Sequence, residues 1–338
     1  MPKRPDIDTQ LPLFAPLAAA PQPPALGAAV VSPAVVALAQ QVPRTVYLGT
    51  SSWSFPGWQG LVYDRAATER DLARHGLPAY AQHPLLRAVG IDRTYYAPIS
   101  AADFAAYAAS VPEDFRFLVK AHAWCTTIYT PPPGARAGQR YERNVHFLEP
   151  LYAAAEVVQP CVVGLGSKLG PLLLQFPPQD VQAIGGPGRF AERLHRFLDA
   201  LPRGPLYAVE LRNANLLTAA YAEALRDVAA CHCFNVHPRM PTLHEQQRIV
   251  SPASAPALVV RWMLHRTLGY AAAGERYQPF DRLVDVDLPS RAAVATLCLA
   301  ALALNRPAYV IVDNKAEGSA PLSVEQLAAH LVAQLPAS

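Results

Sequence analysis

The residues able to do chemistry gather at the ends of short apolar runs. Lys120 closes "FRFLVK", where a low dielectric would draw its ammonium down toward an amine nucleophile or proton carrier. Glu210 and Arg212 stand two apart in "YAVELRN", so a strand would hold both on one face. Glu210 is the best general-base candidate, because perturbed carboxylates cluster in clefts. The plainer structural alternatives are a Lys120 paired to a neighbouring carboxylate and a buried ion pair of Glu210 with Arg212, Arg261 or Lys120.

Other run ends are equally polar. They present Ser51, Ser52 and Trp53; Asp92 and Tyr95; His122 beyond Lys120; Gln175; Asn235 and His237; Arg261; and Asp313, Asn314 and Lys315. A ring of such ends facing one mouth is a candidate pocket. Glycoside hydrolysis would need two facing carboxyl groups, and Glu210 could pair only with Asp92 or Asp313 among the strand-end acids. Lys120, Arg212, Arg261 and Lys315 outnumber the acids of the ring and favour an anionic ligand, a phosphate or a carboxylate. Trp53 and Trp58 in "WSFPGW" follow the first run and lie above the mouth, one expected to plug the barrel and the other to form a stacking wall for a planar group.

"CHCFNVH" invites a metal reading through Cys231, Cys233 and His237, but the cysteines alternate with His232 and lack the two-residue gap of a zinc knuckle. Buried thiols are the expectation there. His122, His146, His195 and His244 form no metal pattern, and neither a phosphate loop nor a dinucleotide fingerprint occurs, so no cofactor or metal is expected.

These residues need elements to position them. Eight runs rich in β-branched or aromatic residues ("TVYLGTS", "LLRAVGIDRTYY", "FRFLVKA", "GPLLLQF", "LYAVELRN", "CHCFNVH", "ALVVRWML" and "AYVIVDN") alternate with helical segments, predicted over 65–82, 101–110, 143–158, 189–201, 217–230, 291–304 and from Ser323, where Gln326 completes a capping box. Eight strands with crossovers predict an α/β fold, a single closed (β/α)₈ TIM-type barrel over 44–338, with an open doubly wound sheet as the alternative. The stretch after "ALVVRWML" reads as an irregular insertion. Residues 1–43, rich in Pro and Ala, read as a flexible extension in which prolines recur too often for a regular helix.

The 338 residues are 51% apolar and 16% charged, a composition of folded protein with much buried surface. A net charge of +3 from 29 interleaved bases and 26 acids gives no nucleic-acid footprint. Five irregularly spaced cysteines are unlike a secreted disulfide framework and point to the cytoplasm. No run reaches the ~18 apolar residues of a membrane span, so no membrane partner is expected, and oligomeric state is left open.

The blocks "YLGTSSWSFPGWQGLVY", "VGIDRTYY", "VPEDFRFLVKA", "KLGPLLLQFPP", "YAVELRN" and "VIVDNKAEGSAPLSVEQL" resemble, in order, those of the YecE-like family, domain of unknown function 72. The resemblance runs from about Thr45 to the C-terminus. It implies a TIM-type barrel without an established reaction, and points to Trp53, Trp58, Lys120, Gln175, Glu210, Arg212, Arg261 and Asn314 as facing the family's site. Departures mark a divergent member: Gly90 stands at a family glutamate, Asp92 and Asp313 at family asparagines, "RWML" at the usual R-L-H-G, and Leu216 at a tryptophan. The leading expectation is an acid/base enzyme acting on a small anionic, sugar-like or phosphorylated substrate, with Glu210 and Lys120 catalytic. Trp53, Trp58, Asp92, Gln175, Arg212, Arg261, Asp313 and Asn314 would bind that substrate. The alternatives are a nucleotide or nucleic-acid binding protein without catalysis, and a catalytically dead scaffold.

Overall fold

In the computed structural model, residues 26–130, 141–336 are described. The eight apolar runs form the parallel strands β1 (Val46–Thr50), β2 (Ala88–Ile91), β3 (Arg116–Lys120), β6 (Leu169–Phe176), β7 (Tyr207–Leu211), β8 (Cys231–Val236), β9 (Leu258–Trp262) and β10 (Ala308–Val312). Strand β1 pairs with both β2 and β10, so the sheet closes into a barrel with helices in the crossovers. The closed (β/α)₈ expectation therefore holds, and the open sheet does not. Two residue pairs outside the barrel, β4 (Tyr129–Thr130) and β5 (Glu142–Arg143), make a small antiparallel ladder.

The period of two along each strand sorts the side chains. One set (Val89, Phe117, Val119, Leu172, Leu174, Val209, Leu211) packs outward under the helices. The other (Ala88, Leu118, Leu173, Ala208, Cys231, Cys233, Val259, Ile311) fills the barrel interior, and at its floor Tyr47 and Tyr309 stack with centroids 5.0 Å apart. Two residues further along, the interior file turns polar: Gly90, Lys120, Gln175, Glu210, Asn235, Arg261 and Asp313. Register levels this layer, with Gln175 beside Glu210 and Asn235 beside Arg261.

Several boundaries differ from the sequence expectation. Pro33–Gln41 is a helix, although it lies in the Pro/Ala-rich stretch, because Pro33 occupies its first turn and the Ser32 hydroxyl accepts from the Val35 amide. It packs on the last helix; residues 1–25 lie outside the described residues. The 65–82 helix is two, Glu69–His75 and Leu77–Tyr80, divided at Gly76. The 143–158 helix starts later, at Pro150, and runs on to Leu165 through a π-helical turn over Ala154–Val158. The last helix begins at Ala320, so Ser323 is buried inside it and caps nothing. The insertion after β9 contains a helix, Tyr270–Tyr277. Arg291 Nη2 donates to Glu317 Oε1 over 2.7 Å, and the Asp287 amide donates to the same oxygen over 2.8 Å, tying the starts of the last two long helices together.

Candidate functional site

Glu210 sits on β7 at the top of the barrel interior and is fully buried. Arg261, from β9, donates through Nη1 to Glu210 Oε2 at 2.6 Å and to Gln175 Oε1 at 3.0 Å. Its Nη2 reaches Asp92 Oδ2 at 3.2 Å and Oδ1 at 3.4 Å. Arg212 places Nη2 against the other Glu210 oxygen. Four strand ends are thus joined through one guanidinium, held by a buried aliphatic stem that only a position on the interior file supplies. Burial alone would push the Glu210 carboxyl up, but Arg212 and Arg261 pull it down to about 2.

Lys120, on β3 and separated from β7 by β6, is treated differently. Its side chain is buried to 7% exposure, and its Nζ lies 3.9 Å from the centre of the Tyr95 ring. Burial draws the ammonium down to about 8; Asp92 and Glu210 oppose the shift while Arg261 and Arg212 add to it. Tyr95 is brought there by a 3₁₀ turn, Arg93–Tyr95, whose Thr94 hydroxyl bonds to the carbonyl oxygens of Ile91 and Lys120. His237, beyond β8, is lowered to about 4 by burial and then by Arg212, and is neutral near pH 7. The Asn235 side chain donates through Nδ2 to the Leu211 carbonyl at 3.2 Å.

Asp313 belongs to a neighbouring cluster. It accepts from the Ser51 hydroxyl at 2.7 Å and from the Lys315 amide at 2.9 Å, with Lys315 Nζ 3.5 Å away. Lys315 lies 4.3 Å from the Tyr270 ring centre. Asp92, Glu210 and Asp313 are each ion-paired to a cation, so no facing pair of free carboxyl groups of the glycosidase kind arises here.

Both tryptophans are committed to packing. Trp58, fully buried, donates to Asn314 Oδ1 at 3.1 Å and lies against Tyr80 and Phe55. Asn314 Oδ1 also accepts from the Ala320 amide at 2.8 Å, so this asparagine joins the first loop to the last helix. Trp53 donates to the Leu72 carbonyl at 3.1 Å and meets Tyr107 edge-on. The aromatic face against the charged network is that of Tyr95. Gly90 occupies the interior file beside Ser51, whose carbonyl oxygen would stand 3.0 Å from a Cβ added there.

One group escaped sequence reasoning. Trp124 stacks on His146 with centroids 5.2 Å apart, His146 on Tyr152 at 4.2 Å, and the Tyr152 hydroxyl lies 2.6 Å from His122 Nδ1. Only the placement of His122 and Trp124 just past β3 hinted at it. On β8, Cys231 and Cys233 face the interior, while His232 faces outward to the Tyr221 hydroxyl and Gln246. All five cysteines are free and buried, and among the described residues no three His, Cys, Asp or Glu side chains converge as a metal site would require.

Residues 47–337 match the family described as protein of unknown function DUF72. The chain belongs to the DUF72 family. Solved DUF72 family proteins share its fold. One from Thermotoga maritima MSB8 is 21% identical with a TM-score of 0.57, over 85% of this chain and 98% of that one. One from Enterococcus faecalis V583 is 18% identical with a TM-score of 0.53, over 87% and 97%. At such identities the likeness speaks for the fold alone. No curated protein matches the sequence. Among the described residues no helix is long and apolar enough to cross a membrane.

Proposed function

We propose that the DUF72 barrel mouth binds a small anionic molecule, sugar-like or phosphorylated, and transfers a proton on it, with Lys120 as the proton carrier. The observation that carries this is the unequal treatment of neighbouring groups. Glu210, held near 2 between two guanidinium groups, is far too acidic to accept a proton near neutrality. It serves instead as the electrostatic anchor that fixes Arg212 and Arg261. Lys120, near 8, exchanges a proton readily at cellular pH. The inner network holds Lys120, Arg212 and Arg261 against Asp92 and Glu210, an excess of one positive charge that an anion would neutralise. Gln175 and the neutral His237 stand at the rim as hydrogen-bonding groups for uncharged parts of the ligand.

Thermal shift with inorganic phosphate and with a panel of sugar phosphates and organic acids tests this. An anion at a hundred times its dissociation constant stabilises by about 2.7 kcal/mol. The stabilisation should vanish in Lys120→Met and weaken in Arg212→Met. Stabilisation that survives in both variants would place the anion elsewhere and remove the proposed site. A second reading, nucleotide binding without turnover, is favoured by the Trp124–His146 stack, whose ring faces suit a base. It predicts a gain for nucleoside monophosphates over ribose phosphate that is lost in Trp124→Ala.

A further inference from the structure

We propose that Lys120 is a covalent nucleophile, and that the mouth takes carbonyl-bearing anions, 2-oxo acids or oxo-phosphates, through an imine formed at its Nζ. This deepens the anion-site reading and rests on it, since the guanidinium groups are what would hold the ligand's charged end.

The chain has four lysines, Lys3, Lys120, Lys168 and Lys315, against a much larger number of arginines. Three of these lysines lie among the described residues, and two of them are tied down. Lys168 Nζ donates to the carbonyl oxygens of Ala108 and Val111, each at 2.8 Å, and lies 3.6 Å from Glu113. Lys315 Nζ is ion-paired to Asp313 and covered by Tyr270. Lys120 has a single close neighbour, the Tyr95 ring face, and makes no hydrogen bond or ion pair from Nζ to any described residue, although the residue is more than nine-tenths buried. The amine thus has no fixed acceptor among the described residues, and the burial of its surroundings favours the neutral nitrogen. Arg261, held by Glu210, Gln175 and Asp92, cannot swing across to quench the amine.

The step balances without any further reagent. The lone pair of the neutral amine forms a bond to the carbonyl carbon, and the carbonyl π electrons move to oxygen. The two amine protons pass to that oxygen, which leaves as water, and a carbon–nitrogen double bond remains. Asp92, whose side chain is about one-third exposed and is fixed by Arg261, is the carboxylate placed to relay those protons. Arg212 is the guanidinium available to the carboxylate or phosphate of the bound molecule.

The full-length protein is incubated with pyruvate or with dihydroxyacetone phosphate, treated with borohydride, digested and mapped by mass spectrometry. Lactate and glycerol 3-phosphate, which lack the carbonyl, are used in parallel thermal shifts. The expected result is a borohydride-dependent adduct confined to Lys120, absent from Lys168 and Lys315, and lost in Lys120→Arg. Far-UV circular dichroism and a cooperative thermal melt show that this variant folds. Trapping should weaken as the pH falls below 8, where the amine becomes protonated. Stabilisation by the carbonyl-free anions without any adduct would overturn the nucleophile and leave Lys120 a point charge. Adducts spread evenly over the lysines would overturn it too. Absence of both stabilisation and adduct would overturn the anion site along with it.

Discussion

The Arg261 guanidinium and the Glu210 carboxylate meet at 2.6 Å across the strand β8 that separates β9 from β7, both sealed from water. A pair of this kind gains little over an apolar replacement, because each ion has lost its hydration, yet breaking it strands the surviving charge. Around this pair the other mouth residues take their positions.

Glu210→Gln should therefore destabilise by about 3–5 kcal/mol, as should Arg261→Met. Glu210→Gln with Arg261→Met should cost clearly less than the sum of the two. Urea denaturation of the four proteins checks this, and full additivity would mean that the pair is not coupled. The folded-state value of about 2 lies below the ~4.3 of an unfolded glutamate. The Glu210 contribution is thus fully present above about 4.3 and is lost as the pH falls through about 2, where the gap between wild type and Glu210→Gln should close.

Lys120 acts with a slope of the same sign, in an alkaline window. Its folded value of about 8 lies below the ~10.4 of an unfolded lysine, so between these values the unfolded chain holds a proton that the folded one has released. Stability from this group rises as the pH climbs from about 8 to about 10.4 and is level below 8. Lys120→Met should be more stable than wild type at pH 7, by about 1–3 kcal/mol, and should lack the alkaline rise. Melting temperatures from pH 6 to 10 check both points.

Trp58→Phe should cost about 2–4 kcal/mol, since it leaves a cavity beside Tyr80 and removes the donor to Asn314. Proteolysis would show whether the loop Pro56–Trp58 and the start of the last helix loosen together, as their shared contact to Asn314 requires.

Gly49 and Gly90 should differ sharply. A Cβ at Gly49 would fall 1.9 Å from the backbone oxygen of Ala88, while one at Gly90 would stand 3.0 Å from that of Ser51. Gly49→Ala forces β1 away from β2 and should cost more than the ~1–3 kcal/mol typical of overpacking, while Gly90→Ala should cost no more than about 1 kcal/mol. Equal melting temperatures for the two variants would contradict the close approach of the strands.

The barrel was legible in the sequence because its signal is local. Each strand is a short β-branched or aromatic run, and the alternation within "FRFLVK" or "CHCFNVH" already fixes which side chains face inward. The polar layer was legible for the same reason, and the strand ends Lys120, Gln175, Glu210, Asn235 and Arg261 do converge. What each of them does was decided only by closure of the barrel. Spacing marked Glu210 as a candidate base, and only the fold showed that the guanidinium from β9 arrives across 51 residues and holds that carboxylate well below its ordinary range. Trp58 read as a wall or a plug until Asn314, 256 residues away, supplied the acceptor that holds it. The freedom of Lys120 comes equally from what the fold keeps out of its reach. Periodicity determines the face a side chain presents, whereas its charge state and partners depend on groups that only the closed sheet brings near.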